Sequence, residues 1–219
     1  YYSRTTVSTE KFDMPADWLR LPATCHHNDP QLMNLVDRFL SENFPFGSRL
    51  FYLWGHSYEF EANDNWNVIE AFAEKMNQRA ASLGLKDTHF VNPHGLDGEE
   101  HYTTAYELAC LARCAMQNEL IRTIVGTRKH TIPHPGEVGT RLLVNHNKLL
   151  RLYDGCIGVK TGFTKRSGRC LVSAAERNGV MLIAVTLNAP NDWNDHTAML
   201  DYGFSRYESV QLCVGEELL

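Results

Sequence analysis

The chain has 219 residues, a formal net charge of −5, 43% hydrophobic and 21% charged residues, the balance of a soluble globular protein with one real core or two small ones. It carries no basic stripe, which excludes a nucleic-acid backbone as the expected partner, and no apolar run approaches the length of a membrane span. It opens at Tyr1-Tyr2-Ser3 without initiator Met or signal peptide, as a fragment or processed product would, so this end does not report the compartment.

Residues 1–66 differ in character from the rest: four of the eight prolines (15, 22, 30, 45) and three of the four tryptophans (18, 54, 66) lie there. After Asp29-Pro30, the spacing of Leu32, Leu35, Val36, Phe39 and Leu40 predicts an amphipathic helix. Leu50 to Trp54 reads as a strand that ends at Gly55-His56. Adjacent His26 and His27 should point in different directions on any regular element, so no metal pair is expected from them.

Val68, Ile69, Phe72, Met76, Ala80 and Leu83 form a helical stripe that stops at Gly84. Asn92-Pro93-His94-Gly95 is a turn by composition; His94 is either a neighbour of a functional site or a hydrogen-bonded loop histidine. Thr104-x-x-Glu107 fits a capping box, followed by the apolar face of Leu108, Leu111, Ala112, Ala115 and Met116. Lys129–Ile132 and Arg141–Asn145 read as short strands flanking Pro133-His134-Pro135-Gly136. The six cysteines, at 25, 110, 114, 156, 170 and 213, make no C-x-x-C pair, which argues against a zinc ribbon and for small buried hydrophobes; extracellular disulfides stay open.

The most informative stretch is Cys156 to Pro190. Cys170–Ala175 and Val180–Asn188 are apolar and β-branched, and Asn178-Gly179 between them tolerates the positive φ angles of a tight hairpin. Ile157–Thr161 is a further strand, so three sequential strands should form a meander. On that strand Lys160-Thr161-Gly162 sets an ammonium and a hydroxyl within reach of a substrate carboxylate. Gly162 leaves room for a peptide lying against the strand edge. Asp192 is expected to cap a last helix through Met199 and Leu200, stopped by Gly203.

From about Met76 to Tyr207 the chain resembles the serine D-alanyl-D-alanine carboxypeptidases, the low-molecular-mass penicillin-binding proteins. The resemblance rests on Met76-Asn77, Leu83-Gly84-Leu85 to His89-Phe90, Asn92-Pro93-His94-Gly95-Leu96-Asp97 and His101-Tyr102-Thr103-Thr104-Ala105. It continues through Asn145-His146-Asn147-Lys148-Leu149-Leu150, Gly158-Val159-Lys160-Thr161-Gly162-Phe163-Thr164, Ser167-Gly168 and the final hairpin. It implies an α/β fold of the penicillin-binding-protein/β-lactamase type, an antiparallel sheet flanked by helices, in residues 67–219. It also implies an acyl-enzyme mechanism without cofactor. A serine of S-x-x-K attacks the D-Ala-D-Ala carbonyl, S-x-N passes protons to the leaving group, and the K-T-G strand holds the terminal carboxylate. The resemblance assigns Lys160 a catalytic role, Thr161 and Gly162 a substrate-binding role, and peptidoglycan stem peptides as partners. β-Lactams follow as inhibitors, and the cell envelope outside the cytoplasm as the location.

Residues 1–66 resemble the C-terminal part of the polysaccharide deacetylases, through Arg4-Thr5-Thr6, Ser8-Thr9, Leu21 to His27, and Leu53-Trp54-Gly55-His56-Ser57-Tyr58-Glu59-Phe60. That resemblance makes His56 the counterpart of a late barrel histidine. The family's metal-binding Asp and H-x-x-x-H lie earlier than anything in this chain, so no metal ligand is assigned. The two resemblances meet between about Asn65 and Met76; a hybrid gene, an assembly error or a deliberate chimera would each produce such a join. The S-x-x-K and S-x-N of the carboxypeptidases fall in the replaced region. The one formal S-x-x-K, Ser8-Thr9-Glu10-Lys11, is followed by Phe12-Asp13-Met14-Pro15, which breaks a helix. The expectation is an inactive carboxypeptidase domain; the alternatives are a non-catalytic peptide- or carboxylate-binding remnant, or a deacetylase-related protein.

Overall fold

A computed structural model describes residues 4–13, 21–41, 50–133 and 139–210. Trp18, Cys213 and the His134-Pro135-Gly136 part of the expected turn lie outside them. The chain divides into two compact units, Tyr1–Thr104 with Lys129–Val144, and Ala105–Arg128 with Asn145–Leu219.

In the first unit, β1 (Arg4–Ser8) runs parallel to β2 (Leu21–Ala23), and β3 (Cys25–His26) runs parallel to β4 (Leu53–Trp54). Parallel neighbours need a crossover, and the segment joining β3 to β4 contains α1 (Leu32–Ser41), the helix expected from its apolar spacing. Leu32, Leu35 and Val36 of α1 pack with Phe12 and Cys25, while Phe39, Phe51, Val68 and Phe72 close over them. The expected strand at Leu50–Trp54 shrinks to its last two residues, because its partner offers only Cys25 and His26.

Next come α2 (Ser57–Ala62) and α3 (Trp66–Ser82), the latter ending where Gly84 takes φ +77°. Asn77 ties α3 to the following segment through both amide atoms: Oδ1 accepts from Phe90 N–H at 2.7 Å and Nδ2 donates to its carbonyl at 2.9 Å. The Asn92–Gly95 turn forms as its composition implies, with Gly95 N–H donating to Asn92 Oδ1 at 2.8 Å. The antiparallel hairpin of β5 (Lys129–Pro133) and β6 (Thr140–Val144) completes this unit.

The second unit contains α4 (Ala105–Met116), α5 (Glu119–Gly126), α6 (Leu149–Leu152) and α7 (Asp192–Arg206) around the sheet of β7 (Cys156–Thr164), β8 (Gly168–Arg177) and β9 (Val180–Thr186). The sheet order is β7-β8-β9, all antiparallel, which is the expected meander. Asn178 at φ +50° and Gly179 at φ +78° make the two-residue turn between β8 and β9. β8, the centre strand, is buried from Leu171 to Ala175, and its Leu171 and Ala175 join Leu149, Leu150, Tyr153, Cys156, Ala184 and Leu200 in the core.

Two sequence expectations about α7 need correction. Asp192 is the first helical residue after Asn191; its carboxylate accepts the Trp193 N–H at 2.9 Å but chiefly engages Arg169. Gly203 does not stop the helix, which continues to Arg206. A Cβ at Gly203 would sit 2.6 Å from Leu182 Cδ1, so this glycine lets α7 close onto β9.

Candidate functional site

Lys160, Thr161 and Gly162 lie together on β7, opposite Val172, Leu171 and Cys170 of β8. Strand alternation puts Lys160 and Gly162 on one face and Thr161 on the other. Among the described residues β7 pairs only with β8, so its other edge is unpaired. Lys160 is exposed and its Nζ donates to the Thr161 carbonyl at 2.5 Å; Thr161 is half-buried and Gly162 exposed. A Cβ on Gly162 would meet nothing nearer than Cys170 at 3.8 Å, ordinary van der Waals contact. The fold therefore does not require glycine at this position.

The end of the strand is fixed from below. Arg169, opposite Phe163 in the ladder, grips the buried Asp192 carboxylate with Nη2 at 2.8 and 2.9 Å and Nε at 3.1 Å, and lies 5.6 Å over the Trp193 ring. Deeper, fully buried His196 of α7 bonds Ser173 Oγ of β8 through Nδ1 at 2.5 Å and Thr186 Oγ1 of β9 through Nε2 at 3.0 Å. Burial pushes the His196 pKa down to about 4, against the opposing pull of Asp192 and Asp195. Helix and sheet are thus pinned by one neutral imidazole. The sequence reading missed it: His196 lies four residues after Asp192, but its partners sit on two distant strands. A cleft of about 860 Å³ in this unit lies beside Cys156 and Ile157, at the opposite end of β7 from Gly162.

In the first unit, Ser8 ends β1 and Lys11 follows in irregular chain after Glu10, whose φ is +55°. Both side chains are exposed, and no helical turn brings hydroxyl and ammonium to one face. His56 precedes α2, stacks on Tyr58 with ring centroids 5.3 Å apart, and donates its N–H to Glu59 Oε2 at 3.0 Å. His94 is a hydrogen-bonded loop histidine, its Nδ1 accepting from Leu96 N–H at 3.2 Å. With His27 and His56 it also lines a cavity of about 580 Å³.

His26 and His27 do not diverge as expected. β3 stops at His26, the chain turns, and the two rings lie side by side with centroids 4.3 Å apart. Glu59 Oε2 is 3.1 Å from His26 Nε2 and 3.6 Å from His27 Nε2. His27 is only 2% exposed and neither ring nitrogen makes a well-formed hydrogen bond, with only a minor pull from the Trp54 backbone. Burial, then neighbouring His26, hold the His27 pKa below the usual imidazole range; the His56 N–H does the same for the Glu59 carboxyl. The five cysteines in the described residues are all unbridged, Cys25 and Cys156 buried and the other three half-buried.

Residues 68–191 match the D-alanyl-D-alanine carboxypeptidase family. The chain is 40% identical over 146 residues to D-alanyl-D-alanine carboxypeptidase DacF of Bacillus subtilis, covering 65% of this chain and 37% of that protein. It is 36% identical over 144 residues to the D-alanyl-D-alanine carboxypeptidase of Streptomyces sp. strain K15, covering 63% and 50%. The crystal structure of the Streptomyces K15 DD-transpeptidase superposes with a TM-score of 0.58 at 36% identity, over 63% of this chain and 55% of that one. The chain thus spans between a third and a half of the length of these curated relatives.

Proposed function

Starting from the fact that this chain belongs to the D-alanyl-D-alanine carboxypeptidase family, we propose that its β7 edge binds peptides ending in D-Ala-D-Ala, while these 219 residues do not perform the acyl transfer. Supporting the first half is the exposed Lys160 on a strand whose outer edge has no partner among the described residues. An extended stem peptide would add there as a fourth strand through main-chain hydrogen bonds. At the strand edge the Lys160 ammonium would meet the terminal carboxylate from one face and the Thr161 hydroxyl would donate to it from the other, and bare Gly162 would let the peptide backbone approach. The Gly162 geometry favours this reading, since a glycine the fold does not need is explained by a ligand that does.

The second half rests on the nucleophile. A serine hydroxyl needs a neighbouring base to attack a carbonyl at neutral pH. Ser8 and Lys11 are the one S-x-x-K spacing ahead of α3, and they are held in extended and irregular chain. Penicillin, as a family inhibitor, should therefore leave the chain unacylated. The test is intact-mass measurement after incubation with penicillin, alongside NMR titration with an acyl-D-Ala-D-Ala peptide in the parent and in Lys160→Ala. The expected result is unchanged mass, with peptide-induced shifts on β7 that vanish in the variant. A penicilloyl adduct would overturn the inactivity, and an adduct on Ser8 would make residues 1–66 part of the active site. Absence of shifts on β7 would overturn the binding role.

A further inference from the structure

We propose that His26, His27 and Glu59 form a site for a divalent transition metal of the zinc type. Two imidazole nitrogens and one carboxylate oxygen are the donor set such ions take, with a further position left for water or a ligand. The spacing fits. Metal–donor bonds of about 2.0–2.2 Å in a tetrahedron put donor atoms about 3.3 Å apart. Glu59 Oε2 stands 3.1 Å from His26 Nε2 and 3.6 Å from His27 Nε2, and all three donors lie within 4.8 Å of one another.

The independent observation is His27. Its side chain is 2% exposed, and neither of its nitrogens makes a well-formed hydrogen bond, the Trp54 backbone exerting only a minor pull, although one points at the Glu59 carboxylate. The surroundings make room for the ring: a Cβ on Gly55 would lie 1.6 Å from Nδ1, so no other residue fits there. Trp54 packs edge-on to His26 at 4.4 Å and Phe60 covers His27 at 4.1 Å, giving the pair fixed walls. His56 N–H holds the carboxylate in place from outside, the outer contact that orients a ligand. Access is open, because His26 and Glu59 keep about a fifth of their side chains in solvent (21% and 22%).

Loading has one cost visible in the geometry. His26 Nδ1 accepts the Asn28 N–H at 3.1 Å, so in the neutral ring the proton sits on Nε2. A metal at Nε2 moves that proton to Nδ1 and releases Asn28 N–H from its turn.

The test titrates the chelator-stripped full chain with Co²⁺ alone and then displaces it with Zn²⁺. One equivalent of Co²⁺ should give the strong visible absorption of a tetrahedral centre, which Zn²⁺ abolishes. Glu59→Gln and His26→Gln, both at partly exposed positions, should each weaken binding by more than the roughly 10–100-fold that loss of an outer partner costs. His27→Asn tests the buried ligand, with circular dichroism separating lost metal from lost fold; the two exposed variants decide the matter should it not fold. Absence of saturable Co²⁺ binding overturns the proposal, and so does binding untouched by both exposed variants, since the chain has ten histidines to capture metal elsewhere.

Discussion

Lowering the pH from 7 to 4 should destabilise the second unit through His196. Its ring is fully buried with a pKa of about 4, whereas in the unfolded chain it titrates near 6.5. Between those values the unfolded chain binds a proton that the native chain refuses, so stability falls as the pH drops through the window. At 1.36 kcal/mol for each pH unit of separation, the full loss is about 3 kcal/mol, reached near pH 4. Hydrogen bonding does not rescue the native state. Imidazolium could still donate to both Ser173 Oγ and Thr186 Oγ1, but its charge would be fully buried, and the pull of Asp192 and Asp195 does not offset that burial.

Hydrogen exchange of β8 amides, corrected for the intrinsic pH dependence, reports opening of this unit. Protection should drop roughly a hundredfold between pH 7 and 4, as 1.4 kcal/mol is tenfold. His196→Gln should be less stable at pH 7, through loss of its two bonds, but with a flatter profile. Since other groups titrate too, the decisive quantity is the difference between the two profiles. Parallel profiles for parent and variant would refute the buried-imidazole account.

Two further predictions concern the strand that carries Lys160. Arg169→Met should cost about 2 kcal/mol in urea unfolding, below the roughly 3–5 of a fully buried broken pair, because Arg169 is itself 42% exposed while Asp192 is left 4% exposed and unpaired; an unchanged midpoint would mean the pair contributes nothing. Gly162→Ala should leave the melting temperature within a degree or so of the parent, since its new methyl meets only a 3.8 Å contact, yet weaken binding of the D-Ala-D-Ala peptide; equal loss of stability and binding would make Gly162 a structural residue.

What was legible in the sequence follows the range of the interactions. The β7-β8-β9 meander is written locally, in alternating strands and an Asn-Gly turn, and α1 and α3 in their apolar stripes. The short parallel ladders were not legible. Cys25 and His26 meet Leu53 and Trp54 across more than 25 residues, and two-residue strands carry no period to read. The same gap hid the His26–His27 convergence, since a strand that stops between two histidines removes the alternation assumed for them. Gly203 misled for the opposite reason: a glycine near a helix end has a familiar local meaning, and here the distant Leu182 decides. Lys160, Thr161 and Gly162 were readable as a group, but that the edge beside them has no partner among the described residues only became visible with the sheet order.

The magnitudes say what kind of binding an edge like β7 can support alone. A few main-chain bonds contribute about 0.5–1.5 kcal/mol each, and a charge-assisted bond from Lys160 about 1.5–3. Association costs at least about 4 kcal/mol in lost translational and rotational freedom. The surplus is a few kcal/mol at best, or roughly millimolar affinity, and exposed Lys160 makes it fall with added salt. Weak, salt-sensitive shifts on β7 are therefore the signature of a carboxylate-holding strand working without a nucleophile. Covalent capture is different: an acyl-enzyme accumulates wherever acylation outpaces deacylation, and a weak first encounter only slows it. An intact-mass measurement after long incubation at high penicillin concentration separates the two regimes without needing tight binding, so weak binding does not disguise an active serine.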